Sequence, residues 1–230
     1  MDVKRQSKID CFRFDKDKRL SLGVGVLLEH AFELHGIVGV QLVQGEFGKL
    51  HVESAKMDDK IHGDVCEVAP SSLNFNLSHS GEIALCAFSP CSVGCDVEKI
   101  KDAPLNIAPR VFTPAEQEVL NTLAGDEQKL QFYKFWTAKE AVIKMTGEGF
   151  SRDPRTFSVL QLDAGLHNKK SSQPAIGVSV NTEKTIQVIS GRKCSLFTFL
   201  CDNNHIASVC VEGEHCAIEL SLKEIDLSAI

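Results

Sequence analysis

Residues 136–144 read Trp-Thr-Ala-Lys-Glu-Ala-Val-Ile-Lys, a carboxylate set between two cations beside an aromatic plane. On a helix, positions four apart share a face, so Trp136, Glu140 and Lys144 align and Lys139 lies next to Glu140. A solvated helix uses Glu and Lys in the same ladder, so the nonapeptide leaves site and surface both open. A second constellation is Val93-Gly94-Cys95-Asp96-Val97-Glu98. Read as a strand, it puts residues 93, 95 and 97 on one apolar face and Asp96 with Glu98 on the other. Two neighbouring carboxylates repel and are costly to bury, so a cation is expected beside them. Oxygen ligands without a nearby histidine point to magnesium, while an exposed strand edge blunted by charge is the competing reading.

Two further stretches carry polar groups at suggestive places. Asn76, Ser78 and Ser80 alternate with Phe75, Leu77 and His79 up to a Ser-Gly turn, where polar groups can reach a ligand; a single histidine there is also an ordinary structural residue. The turn 44–49 holds Gly45, Gly48 and Lys49, either a plain hairpin loop or a backbone able to approach phosphate closely.

The elements that must position these groups follow from pattern. Residues 20–34 predict a helix ended by Gly36, 38–43 and 50–52 a strand pair, and 74–88 a hairpin. Residues 99–110, with Pro104 and Pro109, read as a linker at the midpoint. Thr113-Pro114-Ala115-Glu116 opens a helix with a capping box, and Gly125 is expected to close it. The Trp136 helix is expected from about 128 to Gly147. After it come loop and strand over 150–163, a polar loop at 167–173, strands near 176–180, 186–189, 194–200 and 206–211, and a surface-bound tail from 216. The stretch 83–88 echoes 206–211, which suggests two similar halves, 1–100 and 101–230, with a ligand cleft between them.

With 230 residues, 43% of them hydrophobic and 24% charged, the chain reads as an ordinary soluble globular protein of one large or two small domains, and the mix of helix and strand patterns makes its expected fold α+β. A net charge of −6 argues against a nucleic-acid binder that relies on phosphate neutralisation. No run is apolar enough to span a bilayer and no targeting signal is visible, so a cytosolic protein without membrane contact is expected. The nine cysteines, lying mostly in apolar runs, read as reduced buried thiols, and the spacing of Cys86, Cys91 and Cys95 is not that of a zinc site.

Four separated blocks resemble the signature of the 4′-phosphopantetheinyl transferase superfamily. They are 76–81, 93–98, Phe112-Thr113 with Glu116, and 136–141 with Lys144 and Gly147. The similarity runs from about Lys8 to about Val211, and the length resembles the pseudo-dimeric surfactin-type branch. The resemblance implies two similar α/β halves related by a pseudo-twofold axis, with the active site between them. It implies transfer of phosphopantetheine from coenzyme A to a serine of an apo acyl, peptidyl or related carrier protein, releasing adenosine 3′,5′-bisphosphate, by a monomer.

On that resemblance Asp96, Glu98 and Glu140 hold magnesium, Glu140 accepts the serine proton, and Lys139 and Lys144 neutralise the pyrophosphate. Asp96, Glu140 and Lys144 are the catalytic set. Ser78 and His79 face the 3′-phosphate of coenzyme A, Gly48 and Lys49 line its adenine and phosphate side, Lys8 makes a basic contact, and Trp136 orients the cluster. Members of the branch carry a strand and part of a helix before the Lys8 position, so the first half reads as shortened at its start. Leu50 stands where proline commonly follows the Gly-Lys pair. Two other readings remain: a catalytically impaired module that binds coenzyme A and carrier protein, and a magnesium phosphohydrolase using Asp96, Glu98 and Glu140.

Overall fold

In the computed structural model, residues 15–45, 48–58, 65–68, 73–160, 182–189 and 191–214 are described. Helix α1 (Asp15–Leu34) begins ahead of the apolar pattern that predicts it, and buries Leu28 and Phe32 against Ile37, Val52 and Phe75. Strands β1 (Ile37–Gln44), β2 (Leu50–Asp58) and β3 (Val65–Val68) form an antiparallel sheet in the order β1-β2-β3. Strands β4 (Asn74–Ser80) and β5 (Ile83–Ser89) make the expected hairpin, with Leu77 opposite Cys86. The alternation of β5 serves two cores. Cys86 and Phe88 pack toward α1, while Ile83, Leu85 and Ala87 pack on Val93, Val97 and Val209.

Strand β6 (Val93–Lys99) pairs antiparallel with β9 (His205–Glu212). With β8 (Arg192–Leu200) and β7 (Thr182–Ile189) it forms a four-stranded sheet in the order β6-β9-β8-β7. The strand bearing Asp96 and Glu98 is therefore hydrogen-bonded to β9, far along the chain.

The stretch expected as a linker contains a single 3-10 turn (Leu105–Ile107) and the short helix α2 (Ala108–Val111). Helix α3 (Pro114–Asn121) has the predicted capping box: the Thr113 hydroxyl accepts the Glu116 N–H, and the Glu116 carboxylate accepts the Thr113 N–H at 2.8 Å. Gly125 opens the next helix instead of closing this one; its φ of +59° suits glycine at the entry to α4 (Gly125–Thr146). Helix α4 ends at Gly147 as predicted, in left-handed conformation. It lies on the sheet through Phe132, Ala138, Val142 and Met145, which join Leu196, Ile206 and Cys210 in the largest core.

Of the loop and strand expected over 150–163, the described part, up to 160, holds two 3-10 turns (Gly149–Ser151 and Pro154–Thr156) and no strand, and 161–163 lie outside the described residues. Lys8, the polar loop at 167–173, the strand at 176–180 and the tail from 216 lie outside the described residues.

Candidate active site at the junction of α4, β4 and β6

The site exists because α4 and β6 touch backbone to backbone. A Cβ on Gly94 would fall 2.1 Å from the Ala141 carbonyl oxygen and 2.2 Å from the Met145 nitrogen, so a residue with a side chain would force them apart. This close approach sets Asp96, one pleat on, within reach of the last turns of α4. The Lys144 ammonium donates to Asp96 Oδ1 at 2.7 Å and to Ser78 Oγ at 3.3 Å.

The third wall comes from β4. Strand β6 is an edge strand, and its outward N–H groups would lie unpaired without a cover. Alternate side chains of β4 take them: Cys95 N–H donates to Asn76 Oδ1, Val97 N–H to Ser78 Oγ and Lys99 N–H to Ser80 Oγ. Both serines also donate, Ser78 to Asp96 Oδ1 at 2.9 Å and Ser80 to Glu98 Oε2 at 2.8 Å. The period of two in Asn-x-Ser-x-Ser thus matches the period of two in Asp-x-Glu. One hydroxyl satisfies a strand edge and orients a carboxylate together.

Three carboxylates face one ammonium here. Burial pushes Asp96 upward, partly offset by Lys144; burial also raises Glu98, with Asp96 adding to it. Glu140 is raised first by burial and then by the charges of Asp96 and Glu98. For Lys144, burial pulls downward, but the Asp96 charge and hydrogen bond outweigh it and the ammonium is held firmly protonated. All four shifts express one fact, an excess of negative charge in a partly dry place. Asp96 is only 5% exposed, and its Oδ2 is buried with no hydrogen-bond partner. An all-oxygen donor set with such an orphaned oxygen fits a hard divalent cation. Among the described residues no three His, Cys, Asp or Glu side chains converge closely enough to grip one ion together.

Several residues expected at the site stand elsewhere. Lys139 is corrected: although adjacent in sequence to Glu140, it points to another face of α4. Its ammonium pairs with Glu116 at 2.9 Å and donates to the carbonyls of Pro154 and Phe157, with the lysine 3% and the glutamate 0% exposed. Lys49 is also engaged away from a ligand, since its ammonium donates to the carbonyls of Val93 and Lys144. Ser78 and His79 are consecutive on a strand and so face opposite ways; Ser78 is buried against Asp96, while His79 is exposed. Gly48 sits in the β1–β2 turn with φ of +83°, its N–H donating to the Gly45 carbonyl. Trp136 is half-buried and stacks on Phe132 at 6.1 Å.

Pattern reading did not assign Asn76 and Ser80 their partners, nor Glu116 its burial. The matching two-residue periods were the available signal for the first pair. For Glu116 the capping box accounted for one carboxylate oxygen, while the other accepts the Val159 N–H at 2.7 Å across a separation of 43 residues. Thr137 is fixed in a similar way: its buried hydroxyl meets Ser208 Oγ at 2.8 Å, and Ser208 pairs with Asp96 in the β6–β9 register.

Residues 92–210 match the family described as the 4′-phosphopantetheinyl transferase superfamily. The chain is similar to a 4′-phosphopantetheinyl transferase of Bacillus subtilis, 30% identical over 71% of this chain and 68% of the relative. It is also similar to the 4′-phosphopantetheinyl transferase Sfp of Bacillus subtilis strain 168, 36% identical over 55% of this chain and 56% of that one. The 4′-phosphopantetheinyl transferase HetI of a Nostoc species is 34% identical over 59% of this chain and 54% of its own. The chain thus spans between about half and two thirds of the length of these relatives. No helix among the described residues is long and apolar enough to cross a membrane.

Proposed function

The chain belongs to the 4′-phosphopantetheinyl transferase superfamily, and from that premise we propose that it transfers 4′-phosphopantetheine from coenzyme A to a serine of an apo acyl, peptidyl or related carrier protein. The serine oxygen attacks the phosphorus that carries pantetheine. The new P–O ester bond forms as the bond to the bridging pyrophosphate oxygen breaks, and adenosine 3′,5′-bisphosphate leaves with that oxygen.

Glu140 takes the serine proton, directly or through one water. Its raised pKa makes it a better base than an ordinary carboxylate, because proton transfer is most effective when acceptor and operating pH are not far apart. Lys144, hydrogen-bonded to Asp96 in the same cluster, neutralises the pyrophosphate. Asp96, Glu98 and Glu140, which do not converge on one point as they stand, would draw together to hold magnesium, and the ion would supply charge neutralisation at the pyrophosphate when bound. Ser78 and Ser80 orient the first two carboxylates by the hydrogen bonds described. Phosphoryl transfer asks mainly for positioning and charge stabilisation, and this cluster offers both. The site lies between two halves related by a pseudo-twofold axis, in a monomer acting in the cytosol.

The observation that carries the reading is Asp96: buried, pinned on one oxygen by Lys144 and Ser78, and bare on the other. The test is to incubate the protein with coenzyme A, magnesium and an apo carrier protein and to weigh the carrier. A gain of one phosphopantetheine supports the reading. Coenzyme A binding without that gain would make the chain a binding module, and phosphate release from simple esters would make it a phosphohydrolase.

A further inference from the structure

Asp96 is too dry to stand without a counter-cation, since a buried ionised carboxylate loses its hydration and must be paired. Of the lysines expected at this cluster, three lie among the described residues. Lys139 is committed to Glu116, and Lys49 to two backbone carbonyls. Lys144 remains, and its ammonium holds Asp96 Oδ1 at 2.7 Å.

We infer that Lys144 is a placeholder cation: it neutralises Asp96 until coenzyme A enters, then moves to the pyrophosphate and leaves Asp96 to a divalent ion. The inference rests on the proposed transfer reaction. A dication and an ammonium at one carboxylate repel each other, so each weakens the hold of the other there. Lys144 is built to move. Its side chain is 29% exposed, on a four-carbon stem, while its backbone is pinned by the Lys49 ammonium on its carbonyl at 2.8 Å. The head swings about a fixed root. Ser78, which contacts both Lys144 and Asp96, stays on Asp96 through its own hydroxyl hydrogen. Metal and coenzyme A then favour each other through this side chain, beyond any bond between ion and pyrophosphate, and linkage makes the effect reciprocal.

The experiment is a manganese titration followed by electron paramagnetic resonance, without carrier protein so that nothing turns over. It uses the wild type, Lys144→Met and Lys144→Gln, each with and without coenzyme A. Without coenzyme A, both variants are expected to bind manganese at least about tenfold more tightly than the wild type, because the competitor for Asp96 is gone. Lys144→Gln guards against misfolding, since it keeps a donor for Asp96 without the charge. Lys101→Met, which removes an exposed cation whose charge reaches Glu98, controls for plain loss of charge and should change affinity by less than about twofold. Unchanged or weaker manganese binding in the Lys144 variants, with the wild type binding manganese in the presence of coenzyme A, overturns the inference alone. No manganese binding by the wild type even with coenzyme A, together with no carrier modification, overturns the reaction on which it rests.

Discussion

The Lys49 ammonium donates to the carbonyl of Lys144 at 2.8 Å, so one lysine fixes the backbone of another across a sequence separation of 95 residues. The Lys144 carbonyl belongs to the last turn of α4, where no intrahelical N–H is left to take it and where the helix dipole favours a cation. The same ammonium holds the carbonyl of Val93, at the root of β6. Lys49 thus ties the β1–β2 turn to both elements that bear the acidic cluster.

Lys49→Met should therefore weaken the fold by about 1–3 kcal/mol, the range for losing hydrogen bonds from a charged donor to partly buried carbonyls. Urea unfolding would measure it. In kinetics the variant should lower kcat more than it raises KM for coenzyme A, since it lets Lys144 drift. A rise in KM with kcat kept would instead return Lys49 to direct contact with coenzyme A.

The Lys139–Glu116 pair offers a test that leaves the acidic cluster untouched. Both groups are almost fully buried and fully partnered, and together they hold residues 154–159 against α3 and α4. Removing either partner alone, as in Lys139→Met or Glu116→Leu, strands a buried charge and should cost about 3–5 kcal/mol. The double variant should recover much of that loss, because two apolar side chains leave no charge to strand. A double variant as unstable as the two single losses added would show that the hydrogen bonds of Glu116 to Thr113 and Val159, and not its charge, are the main contribution.

How far the site could be read in advance follows from which contacts are local. Period two set Asp96 and Glu98 on one face of a strand, and period 3.6 put Glu140 and Lys144 on one stripe of a helix. Both patterns persist in the fold because alternation and helical repeat are properties of a few consecutive residues. Lys139 was misread for the same reason: its neighbour Glu140 is near in sequence, but its partner is Glu116, and nothing local marks a lysine whose cation faces inward. Lys49 likewise resembled a ligand contact because its carbonyl partners come from β6 and α4. Gly125 is glycine for a positive φ, and that need arises equally at the end of one helix and the entry to the next. The pairing of β6 with β9 is a choice among several apolar strands, made by packing over a long sequence separation.

Gly94 tests how close α4 and β6 must come. Its missing Cβ would meet backbone atoms, the Ala141 oxygen and the Met145 nitrogen, which cannot swing aside as a side-chain tip can. Gly94→Ala should destabilise by about 1–3 kcal/mol or more, as overpacking does in a tight core. Activity should fall further than stability explains, because α4 must lift from β6 and carry Lys144 and Glu140 away from Asp96. Carrier modification at a temperature where circular dichroism shows the variant folded separates the two effects. Full activity in a folded Gly94→Ala protein would show that the distance between α4 and β6 does not govern the site.

Glu140 should cost the metal-free protein stability at neutral pH. Burial, then the charges of Asp96 and Glu98, raise its pKa, with Lys144 opposing. A carboxyl raised in the folded state binds more protons there than in the unfolded chain, so stability falls as pH rises from the unfolded value of about 4.3 through the raised folded one. Below that window the group is protonated in both states and its penalty is absent. Glu140→Gln should therefore melt higher than the wild type near pH 7.5, with the gap closing toward pH 4; a 1 kcal/mol gain would move the midpoint of a chain this size by roughly 2–4 °C. Magnesium with coenzyme A should narrow or reverse the gap at neutral pH, because ligands that bind only the folded wild type stabilise it. Melting curves across that pH range, with and without both ligands, measure each part. A gap independent of pH would mean that packing, not charge, sets the stability effect at this position. The same excess of negative charge that weakens the empty fold leaves Glu140 able to take a proton, so the variant that melts highest should also be the one that transfers least.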